Sequence, residues 1–206
     1  MSWNDYISHY LLSEGKCYAG ALGNSSDYKL FAAQGATSEE EGWAATFSED
    51  FVTEVLVDEV TERTERVTIN EATALREAME TGTTSQGLFI GGNKYRIVKY
   101  ETDFDCAGQE VVCLFGALGK KGVCVINTGT MLVMGMYDEE LGQTGGNCKS
   151  ACAAFAEYYQ GPSSWTSRPM ASGGGDTDCC YDGVVVVSKM HFEDHLRCVV
   201  VEFGME

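Results

Sequence analysis

The chain has 206 residues, 44% of them hydrophobic, and a formal net charge of −17. That length suits one domain with an extension and a sizeable core; no stretch nears the about 18 apolar residues of a membrane span. Residues 161–206 hold three basic and seven acidic side chains, a balance of −4 that leaves −13 on residues 1–160. Such a field repels nucleic-acid phosphates and argues against binding phosphoinositide bilayers.

Ser2-Trp3-Asn4-Asp5 has the spacing of a capping box, and Trp3, Tyr6, Ile7, Tyr10 and Leu11 then recur on one helical face that Gly15 ends. Residues 17–22 and 28–34 flank the turn cluster Gly23-Asn24-Ser25-Ser26-Asp27 and predict a hairpin. Residues 39–65 carry ten acids against Arg63, which predicts a solvated acidic insertion whose residues 51–57 pair as a short strand. Thr68 with Glu71 gives a second capping box before a short helix bearing Ala72, Leu75 and Met79, which Gly82 closes.

Five strand-like runs follow at 86–90, 94–100, 109–115, 122–127 and 130–137, joined by turns rich in Gly and Asn. Connections this short predict an antiparallel meander. Gly145-Gly146-Asn147 leads into a last helix with Cys148, Ala151, Cys152, Phe155, Ala156 and Tyr159 on one face, stopped by Gly161-Pro162. Residues 161–183 read as a linker, and 184–206 as an extension with strands at 184–187 and 198–203 around a helical turn at 191–196. The fold class is α+β: an antiparallel sheet with helices at both ends of a domain over residues 1–160.

Nine cysteines without a secretory signal at the N-terminus predict reduced thiols that serve as small core hydrophobes in a cytosolic chain. His9, His191 and His195 are the only histidines, none lies in a recognisable catalytic motif, and nothing calls for a cofactor; the expectation is a protein that is not an enzyme. Cys179, Cys180, His191, His195 and Cys198 cluster in the extension, but adjacent cysteines fit a zinc site poorly.

The order of elements resembles a profilin, and so do the words: Ser2-Trp3 with Tyr6, Gly91-Gly92-Asn93-Lys94-Tyr95 before a strand, and Met136-Tyr137-Asp138-Glu139-Glu140 before a Gly-rich turn. Ile69-Asn70-Glu71-Ala72, Ile90-Gly91-Gly92 and Ala154-Phe155-Ala156-Glu157-Tyr158 resemble the apicomplexan branch, whose members also carry an extra arm where the acidic insertion lies. The resemblance covers about residues 1–160; the tail has no recognised counterpart.

The resemblance implies a protein of the cytoplasm and cytoskeleton that binds monomeric actin, regulates its polymerisation, and binds proline-rich segments such as those of formins. By position, the proline-rich ligand falls to Trp3, Tyr6, Phe31 and Tyr158, with Phe31 standing where members outside this branch mostly have Trp. Actin falls to Ile97, Lys99, Lys120, Lys121, Asn147, Lys149 and Ala153. An adaptor of the same fold that has lost actin binding is the alternative reading.

Overall fold

The computed structural model describes residues 2–58, 63–160, 184–185 and 201–202. The chain divides into two compact units, Met1–Ser167 and Arg168–Glu206.

In the first unit, α1 (Trp3–Ile7) opens on the expected reciprocal cap: the Ser2 hydroxyl accepts from the Asp5 N–H, and the Asp5 carboxylate accepts from the Ser2 N–H. The helix widens into a π-helical turn over Ser8–Leu12 and ends in a tight turn, with Glu14 and Gly15 in left-handed backbone at φ 57° and 65°. β1 (Ala19–Asn24) and β2 (Leu30–Gly35) form the predicted hairpin, irregular at Leu22/Gly23. There follow α2 (Glu39–Thr46), β3 (Phe51–Asp58), β4 (Arg63–Ile69) and α3 (Glu71–Thr81). The meander is β5 (Leu88–Ile90), β6 (Asn93–Cys106), β7 (Gln109–Leu118), β8 (Lys121–Asn127) and β9 (Met131–Asp138), and α4 (Gly145–Gln160) closes the unit.

The sheet has seven antiparallel strands in the order β2-β1-β9-β8-β7-β6-β5, so β1 joins the N-terminal hairpin to the last strand of the meander. Its two faces are buried separately. On one, Ile7 and Leu11 join Cys148, Ala151, Cys152, Phe155 and Ala156 of α4 over Cys124, Ile126 and Val133. On the other, Leu75, Ala78 and Met79 of α3, with Trp43 and Ala45 of α2, cover Leu88, Leu114, Val125 and Met134. Phe155 is 1% exposed, and burying a ring of that size contributes about 2–3 kcal/mol. Gly135 sets how closely α4 sits: a Cβ there would lie 2.7 Å from Cys152 Sγ and 2.9 Å from Cys148 Sγ.

Two expectations need correction. The acidic run 39–65 is not one solvated insertion. Its first part is α2, which Ser38 caps, and whose first-turn Glu39, Glu40 and Glu41 suit the positive end of a helix. Gly42 lets that helix press on β2, since a Cβ there would meet the Gln34 backbone. Nor does Thr68 cap α3. It belongs to β4, and Asn70 is the cap, its side-chain oxygen accepting from the Thr73 N–H at 2.9 Å. The predicted short strand does exist as β3, and it pairs with β4 in a hairpin outside the main sheet.

In the second unit, β10 (Val184–Val185) pairs antiparallel with β11 (Val201–Glu202), one pair from each predicted run. The linker 161–183, the turn at 191–196 and Cys179, Cys180, His191, His195 and Cys198 lie outside the described residues.

Candidate functional site

Because α1 and α4 pack on the same sheet face beside β2, side chains far apart in sequence meet at the surface. Trp3 lies 5.6 Å from Phe31 and 6.0 Å from Tyr6 between ring centroids, and Tyr6 lies 5.8 Å from Tyr158. The four rings assigned by resemblance therefore form one continuous floor. Trp3, Phe31 and Tyr158 stay 42%, 38% and 54% exposed. Contiguous, partly exposed aromatic surface of this kind is a feature that interaction sites share. The hydrogen bond with Tyr158 raises the Tyr6 phenol above its ordinary value, and Asp5 is held below its own by the Ser2 hydrogen bonds.

Two neighbours belong to the same cluster. Tyr10 stacks on Tyr158 at 5.0 Å and meets Phe155 edge-on at 5.5 Å, while Tyr159 lies 6.2 Å from Trp3. Helical spacing placed both on apolar faces but could not tell a core ring from a surface ring, because that depends on how α1 meets α4.

The lysines assigned to actin fall into two groups. Lys99 and Lys149 share the Glu101 carboxylate, at 2.8 and 2.9 Å, and together hold it below the usual carboxylate range, Lys99 foremost. The Lys149 ammonium also sits 4.1 Å above the Phe104 ring and 5.7 Å from the centre of Phe115. At the β7–β8 turn, Lys120 pairs with Glu140 at 3.2 Å and Lys121 with Asp138 at 3.6 Å. Asn147 is exposed in the first turn of α4, where its N–H donates to Thr144 Oγ1. Ala153 is half-buried, and its carbonyl accepts from the Cys106 thiol.

Ile97 does not join the lysines; it packs on the cluster beneath α3. A bulge between Ile97 and Lys99 changes the alternation there, so counting by twos along the strand misplaces one of them. Glu101, Phe104 and Phe115 were not singled out from sequence, although Glu101 stands two residues from Lys99 on the same strand.

Between α2, α3 and β2 lies a cleft of about 520 Å³ lined by Leu30, Trp43, Phe47, Leu75, Phe89 and Met134, among others. Among the described residues, no group of His, Cys, Asp and Glu is arranged to hold a metal, and no helix is long and apolar enough to cross a membrane.

A family model described as Profilin matches residues 1–162. A profilin of Plasmodium falciparum is 30% identical over 162 residues, covering 76% of this chain and 93% of its own length. A profilin of Plasmodium berghei is 26% identical over 161 residues, with 76% and 91% covered. Among solved structures, Acanthamoeba castellanii profilin II gives a TM-score of 0.49 at 18% identity, covering 77% of this chain and 96% of its own. Mouse profilin IIa in complex with a double repeat from the FH1 domain of mDia1 gives 0.47 at 18%, with 78% and 97% covered.

Proposed function

The chain belongs to the profilin family, and from that premise we propose that its aromatic floor binds proline-rich segments while the face built from β6, β7 and the start of α4 receives monomeric actin. The protein is an actin-binding regulator of polymerisation. Our finer reading is a non-enzymatic protein of the cytoplasm and cytoskeleton, with Trp3, Tyr6, Phe31 and Tyr158 contacting prolines such as those of formins.

The observation that carries the proline reading is the unbroken ring contact from Phe31 through Trp3 and Tyr6 to Tyr158, with three of those rings more than a third exposed. A polyproline II segment is already extended and stiff, so it loses little entropy on docking, and its pyrrolidine rings stack on flat aromatic faces. It has no N–H of its own, so the Trp3 indole N–H and the tyrosine hydroxyls are suited to its carbonyls. For actin, which is acidic, the supporting feature is that the lysines stand out against a domain of −13. Lys99, Lys120 and Lys121 keep more than half of their side chains exposed, while Lys149 is largely covered by Phe104, and each must exchange an internal carboxylate for one on the partner.

Pyrene-actin assembly, run with and without a proline-rich peptide, tests both halves. The wild-type protein should slow spontaneous nucleation. Lys120→Glu with Lys149→Glu should weaken that effect and its salt dependence while sparing peptide binding. Trp3→Ala should cost roughly 1–3 kcal/mol of peptide binding, the range of an aromatic anchor, and leave actin affinity unchanged. Full retention of the effect on nucleation in the double-lysine variant would remove these lysines from the actin face.

A further inference from the structure

We infer that Tyr10 is a fifth ring of the proline-binding floor, extending its footprint beyond Tyr158 and making this chain selective for longer proline-rich segments. The inference rests on the aromatic-floor reading and adds a residue outside the four assigned by resemblance.

The geometry begins with the π-helical turn over Ser8–Leu12. A π-helix has about 4.4 residues per turn, so residues four apart in such a turn lie nearly above one another on the same side. Tyr6 and Tyr10 are four apart and straddle the start of this turn, and the Tyr158 ring lies between them. It is tilted 33° to Tyr6 at 5.8 Å and stacked at 29° on Tyr10 at 5.0 Å. Tyr10 is itself fixed from below by Phe155 and from the side by His9, which meets it edge-on at 4.9 Å. Phe155 is fully buried, whereas Tyr10, packed against the same core, is only half-buried, so part of its surface stays accessible.

The lengths give the selectivity. From Phe31 to Tyr158 the successive centroid separations are 5.6, 6.0 and 5.8 Å. Laid end to end, those legs reach no further than roughly five or six residues of polyproline II at about 3.1 Å each, and the leg to Tyr10 at 5.0 Å raises that limit to about seven. A segment of about eight prolines is long enough for all five rings, whereas one of about five is accommodated by the rings before Tyr10.

The test is the affinity of the full chain for peptides of about five and about eight prolines, measured by calorimetry on wild type, Tyr10→Leu and Trp3→Ala. Tyr10→Leu should weaken the longer peptide about tenfold and leave the shorter one unchanged, whereas Trp3→Ala should weaken both. An equal loss for both peptides in Tyr10→Leu would make Tyr10 a structural support and overturn the inference, as would no loss for either. If wild type binds neither peptide, the floor reading falls and the inference with it.

A second measurement on unsubstituted protein guards against a folding defect. With fluorine-labelled tyrosines, the Tyr10 resonance should shift with the longer peptide and stay in place with the shorter. A Tyr10 signal unmoved by the longer peptide, while that of Tyr6 shifts, would sink the proposal.

Discussion

Glu71 stands in the first turn of α3 with its carboxylate turned inward, where it accepts backbone N–H groups from Ser48 at 2.8 Å, Gly91 at 3.1 Å and Gly92 at 2.7 Å. Gly91 and Gly92 both have positive φ, 57° and 74°, which turns successive N–H groups toward one anion. One side chain thus ties the end of α2, the start of α3 and the β5–β6 turn together. Replacing Glu71 by Gln removes an acceptor oxygen and should cost about 1–3 kcal/mol by leaving a buried N–H unmatched. Burial raises this carboxyl above its ordinary value of 4.5, although the Gly92, Ser48 and Gly91 hydrogen bonds pull it down. Between that value, kept by the unfolded chain, and the raised folded value, the folded protein binds the extra proton. The group's contribution to stability therefore grows as pH falls through this window. Thermal unfolding of wild type and Glu71→Gln from neutral pH down to about 4.5 should show their gap widening toward acid; a narrowing gap would mean that the carboxyl titrates below its ordinary value. Sequence spacing singled out Glu71 but assigned it to a local cap. Its partners lie 20 to 23 residues away, and only the tertiary fold brings them there.

The elements that were easiest to read are those whose burial has a simple period. The buried stripe of α4 is the one its 3.6-residue pattern predicts, and the meander strands fall between their glycine-marked turns. α2 was not legible: its buried residues are Gly42 and Thr46, so it has no apolar stripe, and it stays helical because its cap and its seat on β2 hold it. The β3–β4 hairpin was half legible, since β3 reads as a strand but β4, with Arg63, Glu65 and Arg66, does not. Val55, Ile69 and Phe89 make a small cluster of their own there, with Phe51 packed on Phe89 at 5.6 Å. The arm is therefore fastened at its base. Replacing residues 53–67 by a short turn, with Phe51 and Ile69 kept, should leave unfolding cooperative while altering the effect on actin assembly. Non-cooperative unfolding of that variant would show that the sheet depends on the arm.

At the scale of the whole molecule, the two proposed surfaces share α4. Lys149 and Tyr158 are nine residues apart on it, which is about 13 Å along the axis and roughly half a turn around. Actin and a proline-rich segment should therefore load the helix from opposite sides without excluding each other. Titrating polyproline into the free protein and into its actin complex should give superimposable isotherms; a large drop in affinity in the complex would place the surfaces in overlap. Composition gave the sign of the molecule's field, but not where its few lysines gather, which depends on a bulged strand meeting a helix. The helix shared by the two proposed surfaces is seated on sulfur. Cys148 and Cys152 lie against Gly135, Cys124 beneath them is hydrogen-bonded from Cys152 through its carbonyl, and all three thiols are free and buried. A thiol that no reagent reaches is alkylated only when its surroundings open, so its labelling rate, set against that of an exposed thiol, measures the opening equilibrium at that place. The seat of α4 is in this way a built-in gauge of how firmly the protein is gripped: a partner that clamps the helix slows the labelling of Cys148 and Cys152, and one that pries at it quickens them.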